Sequence, residues 1–124
     1  MGMTRPRETL RRRAPRVSIG LEGSLVARAA RDVTVIDMSL SGCLVRCPLA
    51  LDRGSIHDLR LVLGSDPFVA KVRATDASLD GSSAPGEPRY LVGLEFLGLA
   101  ARDQTRLRAF LDERMRRGGS ATAG

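Results

Sequence analysis

A chain of 124 residues and 13.3 kDa has room for one domain with its own core, and 43% hydrophobic with 27% charged residues is ordinary globular usage. The four aromatic residues, Phe68, Tyr90, Phe96 and Phe110, are too few to build the stacking platforms on which single-stranded nucleic acid lies. No apolar run reaches the ~18 residues of a membrane span and no apolar signal core opens the chain, so a cytoplasmic protein without membrane insertion is expected.

The net charge of +6 is concentrated at the start, where Arg5, Arg7, Arg11, Arg12, Arg13 and Arg16 face only Glu8. Residues 1–10, with Pro6 and no apolar period, read as a flexible basic arm. Alternation then begins. Val17, Ile19 and Leu21 share one face and Leu25 continues it; Val33, Val35 and Asp37 share a face of the next segment. Cys43, Val45 and Cys47 follow. In an extended strand these two cysteines face the same way but lie about 13 Å apart, too far for a disulfide. With a single histidine in the chain they match no metal pattern and read as small buried hydrophobes.

Leu59, Leu61 and Leu63 form the fourth stripe, Phe68, Ala70, Val72 and Ala74 the fifth, and Tyr90, Val92, Leu94 and Phe96 the sixth, with Tyr90, Val92 and Phe96 expected in the core. Turn chemistry separates them: Ser41-Gly42, Asp52-Arg53-Gly54, Gly64-Ser65-Asp66-Pro67 and the polar stretch 80–88. Short, evenly spaced antiparallel strands favour a closed barrel, which leaves no exposed edge. The period then becomes helical. Leu107, Phe110, Leu111 and Met115 make one stripe, predicting a helix over 101–117 closed by Gly118-Gly119 and packed on the barrel. Residues 11–117 are thus one all-β domain with a C-terminal α-helix, and 118–124 a disordered tail.

Two motifs carry chemistry. Arg12-Arg13-Ala14-Pro15-Arg16 is an R-x-x-x-R preceded by Arg11, and Asp37-Met38-Ser39-Leu40-Ser41-Gly42 is a D-x-S-x-x-G at a strand end. In this order, about twenty residues apart, and followed by the G-x-x-F of Gly93-Leu94-Glu95-Phe96, they resemble the PilZ domain family, over nearly the whole chain from Arg11 to Arg117. The resemblance implies a six-stranded antiparallel β-barrel that binds cyclic di-GMP across its outer surface, clasped by the N-terminal arm, with no other cofactor and no metal. It implies a receptor or adaptor that acts on a downstream protein and is not an enzyme.

The residue types suit that ligand, which has two phosphates and two guanine edges. A guanidinium meets guanine O6 and N7 bidentately, pairs phosphate oxygens and stacks on the purine. Arg12 and Arg16 are therefore expected on phosphate and base. Asp37 and Ser39, two apart on one strand end, are expected to point to one face, the carboxylate accepting from guanine N1–H or N2–H and the hydroxyl bonding base or phosphate. Gly42 is expected to adopt a backbone conformation other residues avoid. Gly93 reads as a bulge or barrel bend that also allows close approach of a ligand. Arg11, before R-x-x-x-R, implies by the same resemblance a pair of ligand molecules per protomer. His57 beside Asp58 could tempt a catalytic reading with Ser39, but no nucleophile-elbow glycines flank that serine. The alternatives are a degenerate domain that works only as a protein-interaction module, and a barrel whose arm holds nucleic acid nonspecifically through phosphates.

Overall fold

The period-two stripes become strands because each can turn one face into a shared interior while its polar residues stay wet. The computed structural model of the chain describes residues 16–26 and 30–123. The basic arm at 1–10, Arg11 and Arg12 lie outside the described residues. Six strands follow in order, β1 (Val17–Val26), β2 (Ala30–Met38), β3 (Gly42–Cys47), β4 (Ile56–Leu63), β5 (Asp66–Leu79) and β6 (Tyr90–Phe96), then α1 (Ala101–Ala123). Every strand pairs antiparallel with its neighbours, and the sheet closes in the order β1-β2-β3-β6-β5-β4, with β4 returning to β1.

The predicted stripes fill the interior. Val33, Val35, Cys43, Val45, Cys47, Leu59, Phe68, Val72 and Val92 are all essentially inaccessible, each large apolar one contributing roughly 1.5–3 kcal/mol. Both cysteines are free and buried, and burial pushes the Cys43 thiol up to about 12 against the opposing pull of Arg16. Tyr90 and Phe96 sit only half-buried at the margin of this core, Phe96 edge-on to Phe68 at 6.3 Å.

Helix α1 lays Leu107 and Leu111 on the barrel, with Phe110 partly buried beside them. Arg114 stacks 5.1 Å from the Phe110 ring and donates to the Ile19 carbonyl at 3.2 Å, tying the helix to β1. Two expectations need correction here. Met115 is 41% exposed rather than part of the buried stripe. The helix also continues through Gly118-Gly119 to Ala123 instead of stopping at Arg117, since a glycine weakens a helix by about 1 kcal/mol without forbidding it.

Bulges decide which side chains reach the outer surface. The β2–β3 register steps from Val35↔Val45 to Asp37↔Leu44, so Ile36 is an extra residue on β2. Strict alternation would have aimed Asp37 into the core behind Val33 and Val35. The bulge turns it outward and sends Met38 inward, fully buried. The expectation that Asp37 shares the face of Val33 and Val35 is therefore corrected: an unpaired carboxylate in the interior would cost far more than one irregular backbone residue. A second bulge does the same on β5, where the register steps from Ala74↔Leu94 to Asp76↔Gly93 and Thr75 is the extra residue. A third lies in β1 between Ser18 and Leu21, at Gly20 with φ +66°.

The polar stretch after β5 is pinned rather than loose. Asp80 receives Arg46 Nε at 2.8 Å, the Ser82 amide at 3.0 Å and the Ser82 hydroxyl at 2.7 Å. Those donors, the Ser82 amide foremost, hold its carboxyl at about 2, below its ordinary 3.8. A depressed folded value means stability that is present above pH ~4 and lost as the pH falls toward ~2. Urea melts of the native chain and Asp80→Asn should thus differ clearly at pH 5, with the gap shrinking below pH ~4 and closing only as the pH falls through about 2. A gap that stays constant with pH would exclude this role for Asp80.

Candidate ligand-binding site

The outward faces of β2, β3, β6 and β5 wall an open groove of about 580 Å³. Arg16, Asp37, Ser41 and Gly42 line one end, and Arg73, Thr75, Asp76, Gly93 and Glu95 the other. Its floor is one cross-strand row: Asp37 pairs Leu44, Leu44 pairs Gly93, and Gly93 pairs Asp76. Three strand spacings of ~4.8 Å put the two carboxylate-bearing residues about 14 Å apart in backbone terms, with an apolar leucine and a bare glycine between them.

The two sequence motifs meet at the first end. Arg16, just before β1, donates from Nη1 to Asp37 Oδ1 at 2.8 Å, across a separation of 21 residues. Both side chains keep solvent access, 36% and 25% exposed, so the pair contributes only about 0–1 kcal/mol. It orients both groups without locking them against exchange for a ligand. Arg73 and Glu95 stand looser, at 3.8 Å with both side chains about half exposed.

Ser39 does not share Asp37's face. It is fully buried in the turn after β2, its Oγ taking the Ser41 amide at 3.1 Å and lying 3.0 Å from the Ser41 hydroxyl. Its own amide donates to the Gly42 carbonyl at 2.8 Å. Ser41, which lines the groove, is the hydroxyl that the turn presents. The same-face expectation failed because the chain leaves strand geometry at Met38, and period-two reasoning stops there.

Gly42 and Gly93 line the groove, though the reason for Gly42 differs from the expected one. It has no positive φ. A Cβ there would run into the Leu94 carbonyl oxygen and lie 3.1 Å from that carbonyl carbon, because β3 and β6 pass closely at the Gly42↔Glu95 pair. At Gly93 a Cβ would meet Asp76 Oδ1 and Thr75 Oγ1, each at 2.7 Å. Those two oxygens lean over the bare glycine.

Sequence reading missed Ser41, Arg73, Thr75, Asp76 and Glu95. Thr75 shares the outward face of Arg73 by alternation, but only the β5 bulge turns Asp76 out beside it, and a bulge leaves no mark in the alternation of a polar strand end. His57 lies apart, on β4: its Nε2 sits 2.8 Å from Ser55 Oγ, and desolvation lowers its pKa against the opposing effect of Asp58. Ser39 is bonded within its own turn after β2, and β2 is separated from β4 around the barrel by β1.

The family model of the PilZ domain matches residues 10–113. Among curated proteins none matches the chain. Among solved structures, the PilZ domain of YcgR from Escherichia coli with c-di-GMP superposes at TM-score 0.72 and 16% identity, covering 91% of this chain and 98% of that one. The inhibitor of motility MotI of Bacillus subtilis follows at 0.69 and 19% identity, covering 86% and 51%. MrkH of K. pneumonia in complex with c-di-GMP matches at 0.71 and 15% identity, covering 88% and 54%. The chain thus spans about half the length of the last two, and at these identities the likeness is one of fold.

Proposed function

This chain belongs to the PilZ domain family, and from that premise we propose that it is a cyclic di-GMP receptor, a binding module rather than an enzyme. The observation that carries the reading is the 2.8 Å contact between Arg16 and Asp37. The last arginine of one motif and the carboxylate of the other converge at the mouth of a groove whose floor is a leucine and a glycine. The ligand named in the YcgR and MrkH structures has the phosphates and guanine edges that such groups recognise.

Residue roles follow from chemistry. Arg12 and Arg16 take phosphate oxygens and a guanine O6/N7 edge. Asp37 accepts from guanine N1–H and N2–H. Ser39 acts through the turn it holds, keeping Ser41 and Gly42 against the ligand, and Gly93 leaves room for a base. The groove itself offers three carboxylates (Asp37, Asp76, Glu95) against two guanidiniums (Arg16, Arg73). A doubly anionic ligand therefore needs further cations, and Arg11, Arg12 and Arg13 are the nearest in sequence.

On this reading residues 1–10 form a basic arm and 11–117 the barrel with its helix, which runs on to Ala123. Binding draws residues 5–16 onto the barrel, the phosphates offsetting the entropy of ordering them, and the altered surface engages a downstream protein. Arg11 favours an intercalated pair of ligands. The cytoplasm is the proposed place of action.

Titration calorimetry of the intact chain with cyclic di-GMP is the test, with backbone amide relaxation recorded before and after saturation. Heat should be released at a stoichiometry of about two, with loss of fast motion in residues 5–16. A stoichiometry of one would remove the paired ligand and Arg11's role, and an arm unchanged in mobility would remove the clasp. No heat would leave a protein-interaction barrel. Nonspecific nucleic-acid binding would instead fall about 10³-fold or more as salt rises, a slope too steep for two phosphates.

A further inference from the structure

The end of the groove opposite Arg16 and Asp37 is built with the same device and is claimed by neither motif. Asp37 stands two residues after the inward Val35 and is turned out by the extra residue Ile36. Asp76 stands two residues after the inward Ala74 and is turned out by the extra residue Thr75. Both carboxylates land in the single row Asp37–Leu44–Gly93–Asp76, one at each end. Bulges that re-aim a side chain are a common feature of binding sites.

We propose that Asp76 and Thr75 form a second guanine-edge site, which reads the base farther from Asp37 and makes this chain selective for guanine at both positions. The proposal rests on the cyclic di-GMP reading above. Asp76 Oδ1 and Thr75 Oγ1 both lie 2.7 Å from the point where a Gly93 Cβ would stand. A carboxylate acceptor and a hydroxyl therefore converge over a floor that carries no side chain. Guanine's Watson–Crick edge offers N1–H and N2–H to the carboxylate and O6 to the hydroxyl. Adenine would set its N1 lone pair against the carboxylate and leave both partners poorly paired, and a site built to hydrogen-bond one partner rejects the other strongly for that reason.

Calorimetry with cyclic di-GMP and with the mixed cyclic dinucleotide bearing one guanine and one adenine tests this on native chain, Asp76→Asn and Gly93→Ala. The native chain should prefer cyclic di-GMP by about 10- to 100-fold, the worth of one charge-assisted base contact. An asparagine amide pairs with adenine as readily as with guanine, so Asp76→Asn should bring the two ligands to near parity. Gly93→Ala displaces the flexible ends of Asp76 and Thr75 and should weaken cyclic di-GMP while the melting curve stays cooperative. A native preference that survives in Asp76→Asn unchanged would overturn the proposal, as would equal native affinities. Failure of the native chain to bind cyclic di-GMP would overturn the receptor reading itself.

Discussion

Replacing Arg12 and Arg16 together by alanine should lower affinity for cyclic di-GMP by about 10³-fold, from two lost charge-assisted contacts of roughly 1.5–3 kcal/mol each. Thermal stability should barely move. Arg16 forms one solvent-accessible ion pair at 2.8 Å, and such pairs contribute about 0–1 kcal/mol. The lysine double variant separates geometry from charge. It restores both positive charges but neither the bidentate fork nor the stacking plane, so it should recover only a minor part of the loss. Asp37→Ala supplies the third arm. It deletes the guanine acceptor and also releases Arg16 from its orienting partner, so its cost and that of Arg16→Ala should sum to more than the cost of the Arg16→Ala/Asp37→Ala double variant if the two work as a unit. Calorimetry gives the affinities, and a melting curve for each variant shows that the barrel persists. Retained affinity in the double alanine variant, with the fold intact, would remove the arginine motif from the site.

What the sequence could reveal divides along regular and irregular backbone. The stripes Leu59-Leu61-Leu63 and Phe68-Ala70-Val72-Ala74 were legible because regular pairing lets period-two alternation persist over several residues, and all of them are buried. Asp37 was singled out through its motif, yet its direction was misread, because alternation continues through Val33 and Val35 and gives no sign of the extra residue at Ile36. The same blindness hid Asp76. Ser39 and Ser41 are indistinguishable as residue types in a turn; only the fold decides which hydroxyl is buried and which faces the groove. Arg73 and Glu95 were passed over because an outward charge on an alternating strand is the ordinary solvated case. What makes them part of the groove is the adjacency of β5 to β6, a property of strand order. Glycine was the reverse case: Gly42 was noticed for the wrong reason, since crowding between paired strands is a tertiary fact and a left-handed turn is a local one.

That distinction makes Gly42 the glycine with least room for a side chain among those described. Gly42→Ala should destabilise the chain by about 3 kcal/mol, the upper part of the range for forcing an extra carbon into packed structure. For a domain of this size that corresponds to a fall in melting temperature of roughly 10 °C. The obstacle is backbone. The Leu94 carbonyl and the Glu95 Cα at 3.2 Å belong to β6, which is held on both sides by β3 and β5 in a closed sheet. Separating β3 from β6 also strains the amide of Phe96 on the Ser41 carbonyl at 2.9 Å and the turn that carries Ser41. If a left-handed φ were the reason for glycine here, Gly42→Asn would be milder than Gly42→Ala, since asparagine tolerates that region. Steric conflict with the Leu94 carbonyl predicts that asparagine is at least as harmful, because any Cβ occupies the same point. Gly93→Ala is the internal comparison: its Cβ meets only side-chain ends that can swing away, so it should cost the fold little and the ligand more. Equal thermal losses at positions 42 and 93 would mean that β6 yields where the contact geometry says it cannot.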